Sequence, residues 1–190
     1  IMIRGTFEVT DTERAGTLTV NLTFRGGAVV YVNGEEVGRG YMPEGEINDF
    51  TPATRYPEEA YLTEDGYIYF PKEGKSPAIA PRIATRTRQI VNCKIKPDKL
   101  RKGVNVLAIA IHRAPTDVRA LIRRAKQSAQ VNPTHQDTFW AKIGLSELTL
   151  IASPGAAVTP NISPTVGRGF VAWNQSIIQR VFIPDYPDPF

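Results

Sequence analysis

An antiparallel β-sandwich is the fold class this sequence predicts, on three observations. Runs with strict period-two alternation recur along the chain. Turn-forming residues separate them, with Gly and Pro numbering 15 each. One stretch alone carries a convincing helical stripe. Many short strands punctuated by turns, with little helix between them, pack as two sheets. The chain has 190 residues, 42% of them hydrophobic, which is enough to build a core without disulfides.

The strands follow in order. "RGTFEVT" (4–10) is a short strand with Phe7 and Val9 inward. "GTLTVNLTF" (16–24) puts Leu18, Val20, Leu22 and Phe24 on one face and Thr17, Thr19, Asn21 and Thr23 on the other. "GAVVYVNGEEVGRG" (27–40) is a tight hairpin: Ala28 to Val32 runs out, Asn33-Gly34 turns with positive φ, and Glu35 to Val37 returns. Residues 41–87 are chopped by Pro43, Pro52, Pro57, Pro71, Pro77 and Pro81, yet hold five of the seven tyrosines. A connection this long inside a compact domain is functional or disordered, and its aromatic load argues against disorder.

"RQIVNCKI" (88–95) reads as a strand, "KPDKLRKG" (96–103) as a turn, and "VNVLAIAIH" (104–112) as a central strand. Gly103 supplies a permissive backbone at the start of that strand, Lys102 keeps the turn in water, and the Asn105 side chain can bond a neighbouring loop's backbone. The helix is expected over 115–130, capped by Asp117, with Val118, Leu121, Ile122 and Ala125 as its apolar stripe and Arg119, Arg123, Arg124 and Lys126 opposite. "TFWAKIGLSELTLIA" (138–152) returns to strand, and 153–167 has linker composition. The tail beyond it is apolar again. So much contiguous apolar surface is a hazard in water, and Phe170 to Val181 is expected to lie back on the sandwich as a bridge to a next domain. The opening "IMIRGTFEV" is already strand-like, so the chain is expected to be part of a longer protein.

The net charge is +4 and the pI about 9.3. That is mildly basic and lacks the clustered stripe of a nucleic-acid binder, so no nucleic-acid partner is expected; polyanions such as acidic polysaccharides stay open. No apolar run is long enough for membrane insertion. Cys93 is the single cysteine, so an intrachain disulfide is excluded, and it is expected to pack as a small hydrophobe.

Catalytic patterns are absent by type. His112 and His135 are the two histidines, and no Gly-x-Ser-x-Gly elbow accompanies them. His112 at a strand end is expected to be satisfied by a backbone bond. Zinc needs more ligands at short spacing. The pairs Glu58-Glu59 and Glu64-Asp65 have the residue type of glycosidase acids, but read as a solvated loop. No phosphate-binding glycine loop occurs. Trp140 and Trp173 are expected in the core or at a domain contact. Asn21, Asn161 and Asn174 fit glycosylation sequons, which matter only in a glycosylating host.

"VVYVNGEEVGRG" followed by "LRKGVNVLAIAIHRAP" resembles the galactose-binding-domain-like β-sandwich, as in the accessory jelly rolls of glycoside hydrolases, including the family-2 β-galactosidases. The residues that carry it are Tyr31, Val32, Asn33 and Gly34, then Leu100, Gly103, Asn105, Val106 and Leu107. "WAKIGLSELTLIA" resembles the closing strand, with Gly144 before its last alternation, and "RGTFEV" the opening one. The match covers pieces of 4–40 and 88–151 and rests on framework residues. The loop at 41–87 and the basic helix depart from it.

The resemblance implies a jelly-roll module over 1–152 with one short helical insertion, followed by a linker and connector at 153–190. It implies a non-catalytic carbohydrate-binding module of a larger extracellular or periplasmic, cell-surface carbohydrate-active protein, not itself an enzyme. Its partners would be a polysaccharide or oligosaccharide and neighbouring domains of the same polypeptide. The alternative is a structural interdomain module that binds nothing small. Within the loop, Tyr41, Tyr56 and Tyr61 could stack on sugar C–H faces, with Asp49, Arg55 and Glu58 bonding hydroxyls; equally, the rings could simply hold the loop. No cofactor is expected. A structural calcium is implied only by the resemblance, with Asp49 and Asp65 of the right hard-oxygen type but no calcium-loop spacing.

Overall fold

The computed structural model describes residues 1–62, 64, 81, 84–115, 143–160, 169–173 and 177–181, the last two ranges as backbone. The expected helix at 115–130 falls almost wholly outside them, as do His135, Trp140, Asp65, Tyr67, Tyr69, Asn161, Asn174 and the side chain of Trp173.

Among the described residues there are ten strands: β1 (Met2–Val9), β2 (Leu18–Arg25), β3 (Gly27–Val32), β4 (Glu35–Gly40), β5 (Arg88–Ile95), β6 (Gly103–His112), β7 (Gly144–Ile151), β8 (Val158–Pro160), β9 (Gly169–Trp173) and β10 (Ile177–Val181). One sheet runs β4-β3-β6-β1-β8 and the other β5-β2-β7-β10-β9, with antiparallel pairing throughout. The fold is a β-sandwich. A short helix, α1 (Thr12–Ala15), joins β1 to β2, capped by the Asp11 carboxylate, which accepts from Glu13 N–H at 3.0 Å.

The alternating residues of the sequence make the core. Phe7, Val9, Leu18, Val20, Leu22, Phe24, Val30, Val32, Ile95, Leu107, Ile109, Ile111 and Leu150 meet between the sheets. Each fully buried aliphatic chain of this kind contributes roughly 1.5–3 kcal/mol. β5 keeps its inward face only by a bulge. Asn92 takes φ 61, its N–H donates to Asn21 Oδ1 at 2.7 Å, and the register shifts so that Ile90 and Cys93 both turn inward opposite Leu22 and Val20.

Two segments of the C-terminal third form strands that the sequence reading did not place. Val158–Pro160 lies inside the stretch with linker composition, yet pairs with β1. β10 pairs with β7 and carries β9 on its far side, extending the second sheet. Period-two alternation is too short in these segments to reveal a strand of three to five residues.

The polar start of β6 has a defined job. Asn105 is fully buried. Its Oδ1 accepts from Arg101 N–H and from Asn33 Nδ2, both at 2.9 Å, and its Nδ2 donates to Arg101 O at 2.7 Å and Gly103 O at 3.0 Å. Asn33, at φ 54 in the hairpin turn, donates to Lys99 O at 3.0 Å and accepts from Val106 N–H at 3.0 Å. Gly103, at φ 90, lets the chain double back so that Asn105 can reach Arg101. Two carboxamides thus weld the β3–β4 turn to the loop before β6, with every polar atom of Asn105 satisfied.

The sheets close along one edge, where β4 meets β5. A Cβ at Gly38 would stand 2.6 Å from Cys93 Sγ, and one at Gly40 would stand 2.5 Å from Ile90 Cγ1. Only glycine permits so close an approach of the two edge strands.

Candidate functional site

β3 is buried on both faces. Ala28, Val30 and Val32 look into the sandwich, whereas Val29 looks outward, where a second apolar cluster covers it. That cluster joins Val29, Ala110 and Ala114 to Met42, Ala53, Tyr56, Ala60, Tyr61 and Leu62, with Tyr31 and Ile47 at its margin. The loop from 41 to 62 is therefore laid across the outer face of the first sheet. It is ordered by one bond of its own, Thr54 N–H to Tyr41 O at 2.8 Å, and by two to the end of β6 and the residue after it, Ala53 N–H to Arg113 O at 2.9 Å and His112 Nδ1–H to Thr51 O at 2.9 Å. His112 is thus a strand-end residue satisfied by a carbonyl.

A cation sits beneath the loop. Arg88 begins β5 opposite Phe24, on the inward side, and is 4% exposed. Its guanidinium donates to Gly26 O at 2.8 Å, Thr54 O at 3.0 Å and Arg55 O at 2.9 Å. The guanidinium carbon lies 3.8 Å from the Tyr56 ring centroid and 4.4 Å from that of Tyr41. Burial pulls its pKa down, with the phenols of Tyr56 and Tyr41 opposing. The Tyr56 hydroxyl accepts from Gly26 N–H at 2.6 Å, and the ring meets Tyr61 edge to face at 6.1 Å. Arg86, also buried, donates to Ala60 O and lies 5.4 Å from the Tyr61 centroid. Carbonyls and ring faces, in place of a carboxylate, compensate Arg88.

The six residues nominated by the sequence divide accordingly. Tyr56 and Tyr61 are buried and hold the loop; neither offers a ring face to solvent. Tyr41 is 47% exposed, with φ 58 and its ring against Arg88 and edge to face with Phe24. A positive φ on a bulky residue is uncommon and is held here by these contacts and by the bond from Thr54. Asp49, Arg55 and Glu58 are exposed, Glu58 at the start of a single 3-10 turn, Glu58–Ala60.

Sequence reasoning missed Phe50 and Arg88. Phe50 is 94% exposed at the tip of a turn locked by Asn48, whose Oδ1 accepts from Phe50 N–H at 3.0 Å, while Thr51 Oγ1 accepts from Asn48 N–H at 2.9 Å. Nothing in local pattern distinguishes it from a core aromatic. Arg88 did leave a signal: it shares parity with Ile90, so the alternation aims a charge at the core. Beside the tip, the Tyr31 phenol is pushed up, first by burial and then by the carboxylate of Glu36, with Arg39 opposing and Asp49 adding. Arg39 is held to Glu36 and donates to Pro43 O at 2.8 Å and Gly45 O at 2.9 Å, anchoring the first turn of the loop.

The solvent side of the loop therefore carries two aromatic rings, Tyr41 and Phe50, among carboxylates and one guanidinium, on a fixed backbone. Such a surface can stack on apolar faces and bond hydroxyls. Among the described residues no three His, Cys, Asp or Glu side chains converge to hold a metal ion, and no helix is long and apolar enough to cross a membrane. No protein-family model, curated protein or solved structure matches this chain.

Proposed function

We propose that the chain is a non-catalytic carbohydrate-binding module, a galactose-binding-like jelly roll belonging to a larger secreted, bacterial carbohydrate-active protein. The observation that carries this reading is the pinned loop at 41–62, which holds Phe50 out at 94% exposure beside Asp49 and exposes part of the Tyr41 ring. Stacking of a sugar C–H face on Phe50 or Tyr41 supplies the apolar part of binding. Asp49, Arg55 and Glu58 supply charge-assisted bonds to hydroxyls. No bond is made or broken. The loop is ordered before binding, so little entropy is lost, and affinity stays modest because the site is shallow and wet.

The test is calorimetry of the chain against plant and algal polysaccharides, repeated with Phe50→Ala. Phe50 packs on nothing that the fold needs, so the variant should melt as the parent does. Loss of about tenfold in affinity, the equivalent of one modest stacking contact, is the expected result. A glycan bound equally well by Phe50→Ala and by Phe50→Ala with Tyr41→Ala would remove the loop from the site.

A second reading has its own observation. Tyr56 and Tyr61 are spent on Arg88, Arg86 and the outer face of the sheet, as in a module whose loop only orients a neighbouring domain. A complete absence of glycan binding, with tight association to an adjacent domain of the full-length polypeptide, would favour it.

A further inference from the structure

We propose that Asn33-Gly34, the one Asn-Gly pair in the chain, is a latent deamidation site. The carboxamide clamp described above holds it inert, so that it marks chains whose β3–β4 hairpin has opened.

Asn-Gly is the most reactive sequence for this chemistry because glycine leaves the following amide nitrogen unhindered. The Gly34 nitrogen, its proton taken by solvent base, attacks Asn33 Cγ. The Cγ–Nδ2 bond then breaks and Nδ2 leaves as ammonia, giving a cyclic imide. Water opens that ring at either carbonyl, leaving aspartate or isoaspartate. One water is consumed and one ammonia released, with no oxidant or reductant.

The turn is accessible to solvent base: Gly34 and Glu35 are exposed, and nothing lies within 4 Å of where a Gly34 Cβ would be. What prevents attack is the direction of the Asn33 carboxamide. Its Nδ2 donates to Lys99 O at 3.0 Å and Asn105 Oδ1 at 2.9 Å, and its Oδ1 accepts from Val106 N–H at 3.0 Å. To meet the Gly34 nitrogen the side chain must leave all three partners. Three hydrogen bonds of ordinary net strength suppress that rotation by roughly a hundredfold.

The product cannot regain the clamp. A carboxylate at position 33 points oxygen where Nδ2 stood, against Lys99 O and Asn105 Oδ1, both acceptors. Isoaspartate also adds a methylene to the main chain of a two-residue turn. Each opening thus carries a chance of a one-way change that favours further opening.

The experiment incubates the full chain in mildly alkaline buffer, folded and unfolded in urea, and follows Asn33 by peptide mapping with isoaspartate detection. Asn48 and Asn92 serve as internal references. Conversion at Asn33 some hundredfold faster in urea, with no comparable gain at the references, is expected; equal rates in the two conditions overturn the proposal. Asn105→Ala, where it folds, should accelerate conversion in native buffer, and an unchanged rate there removes the clamp as the cause. Asn33→Asp, which imitates one product, should melt below the parent; an unchanged melting temperature overturns the claim that the mark favours further opening.

Discussion

Cys93 Sγ occupies the space that a side chain at Gly38 would need: a Cβ there would stand 2.6 Å from the sulfur. The thiol is half-buried between the two edge strands and lies 3.8 Å from Val37 O. A small residue and a sulfur have been fitted to each other across the closed edge.

Gly38→Ala should therefore cost about 1–3 kcal/mol, as overpacking does. Urea midpoints measure it. Cys93→Ala removes the clashing sulfur, so the double variant should recover most of the loss, and the coupling between the two sites should exceed about 0.5 kcal/mol. Simple additivity would place the contact elsewhere.

Removing the Arg88 guanidinium should be severe. Arg88→Met leaves the carbonyls of Gly26, Thr54 and Arg55 without their donor, and the buried one, Gly26 O, by itself costs about 1–3 kcal/mol when orphaned. Arg88→Lys should recover little, because one ammonium cannot reach three carbonyls and lie flat against two rings. Chemical denaturation of both variants checks this, and a lysine variant as stable as the parent would contradict it.

Asn105→Asp should be nearly as damaging as Asn105→Ala, although it has the same shape. The new oxygen faces Arg101 O and Gly103 O, where Nδ2 now donates. A loss of about 2–4 kcal/mol is expected for each, read from denaturant midpoints. If the aspartate variant is close to the parent at neutral pH, the carboxamide orientation is wrong.

Burial pushes the Cys93 thiol above its ordinary 9.0. The folded chain therefore keeps that proton to higher pH than the unfolded chain does. Stability from this group is complete below 9.0 and is lost as pH rises through the folded value. Tyr31, raised above its ordinary 10.0, adds a loss in the same direction higher up. Denaturant midpoints should be flat through neutrality and fall in alkali. Cys93→Ala should flatten the first part of the fall, and a midpoint that climbs with alkali would reverse the sign of the argument.

The sandwich was legible because its evidence is local. Leu18, Val20, Leu22 and Phe24 alternate with threonines and Asn21, and Asn33-Gly34 can hardly be anything but a turn. Those four residues are core, and the hairpin stands where it was read. Asn105 was legible in part: a polar residue in an apolar strand demands partners, and local sequence suggested a loop backbone but not Asn33, 72 positions away. The site was least legible. Tyrosine is both a ring for stacking and a ring for filling a core, and which role Tyr41, Tyr56 and Tyr61 take depends on where a long irregular loop lies. Arg88 decides that, and its three carbonyl partners come from segments 33 to 62 residues away. No window of sequence contains such a relationship.

Arg88 starts a strand of the second sheet, yet the carbonyls it holds at Thr54 and Arg55 belong to the loop lying over the first. The loop is thereby tied to both halves of the sandwich. It has no separate way to open: releasing it breaks the tie, and the tie lasts as long as the sheets stay together. Its amide protons at Ala53 and Thr54, bonded to Arg113 O and Tyr41 O, should then exchange with solvent water as slowly as those of β6, in one cooperative unit with the strands. Whatever the loop meets in solution, it meets as a rigid wall of the domain and not as a flap.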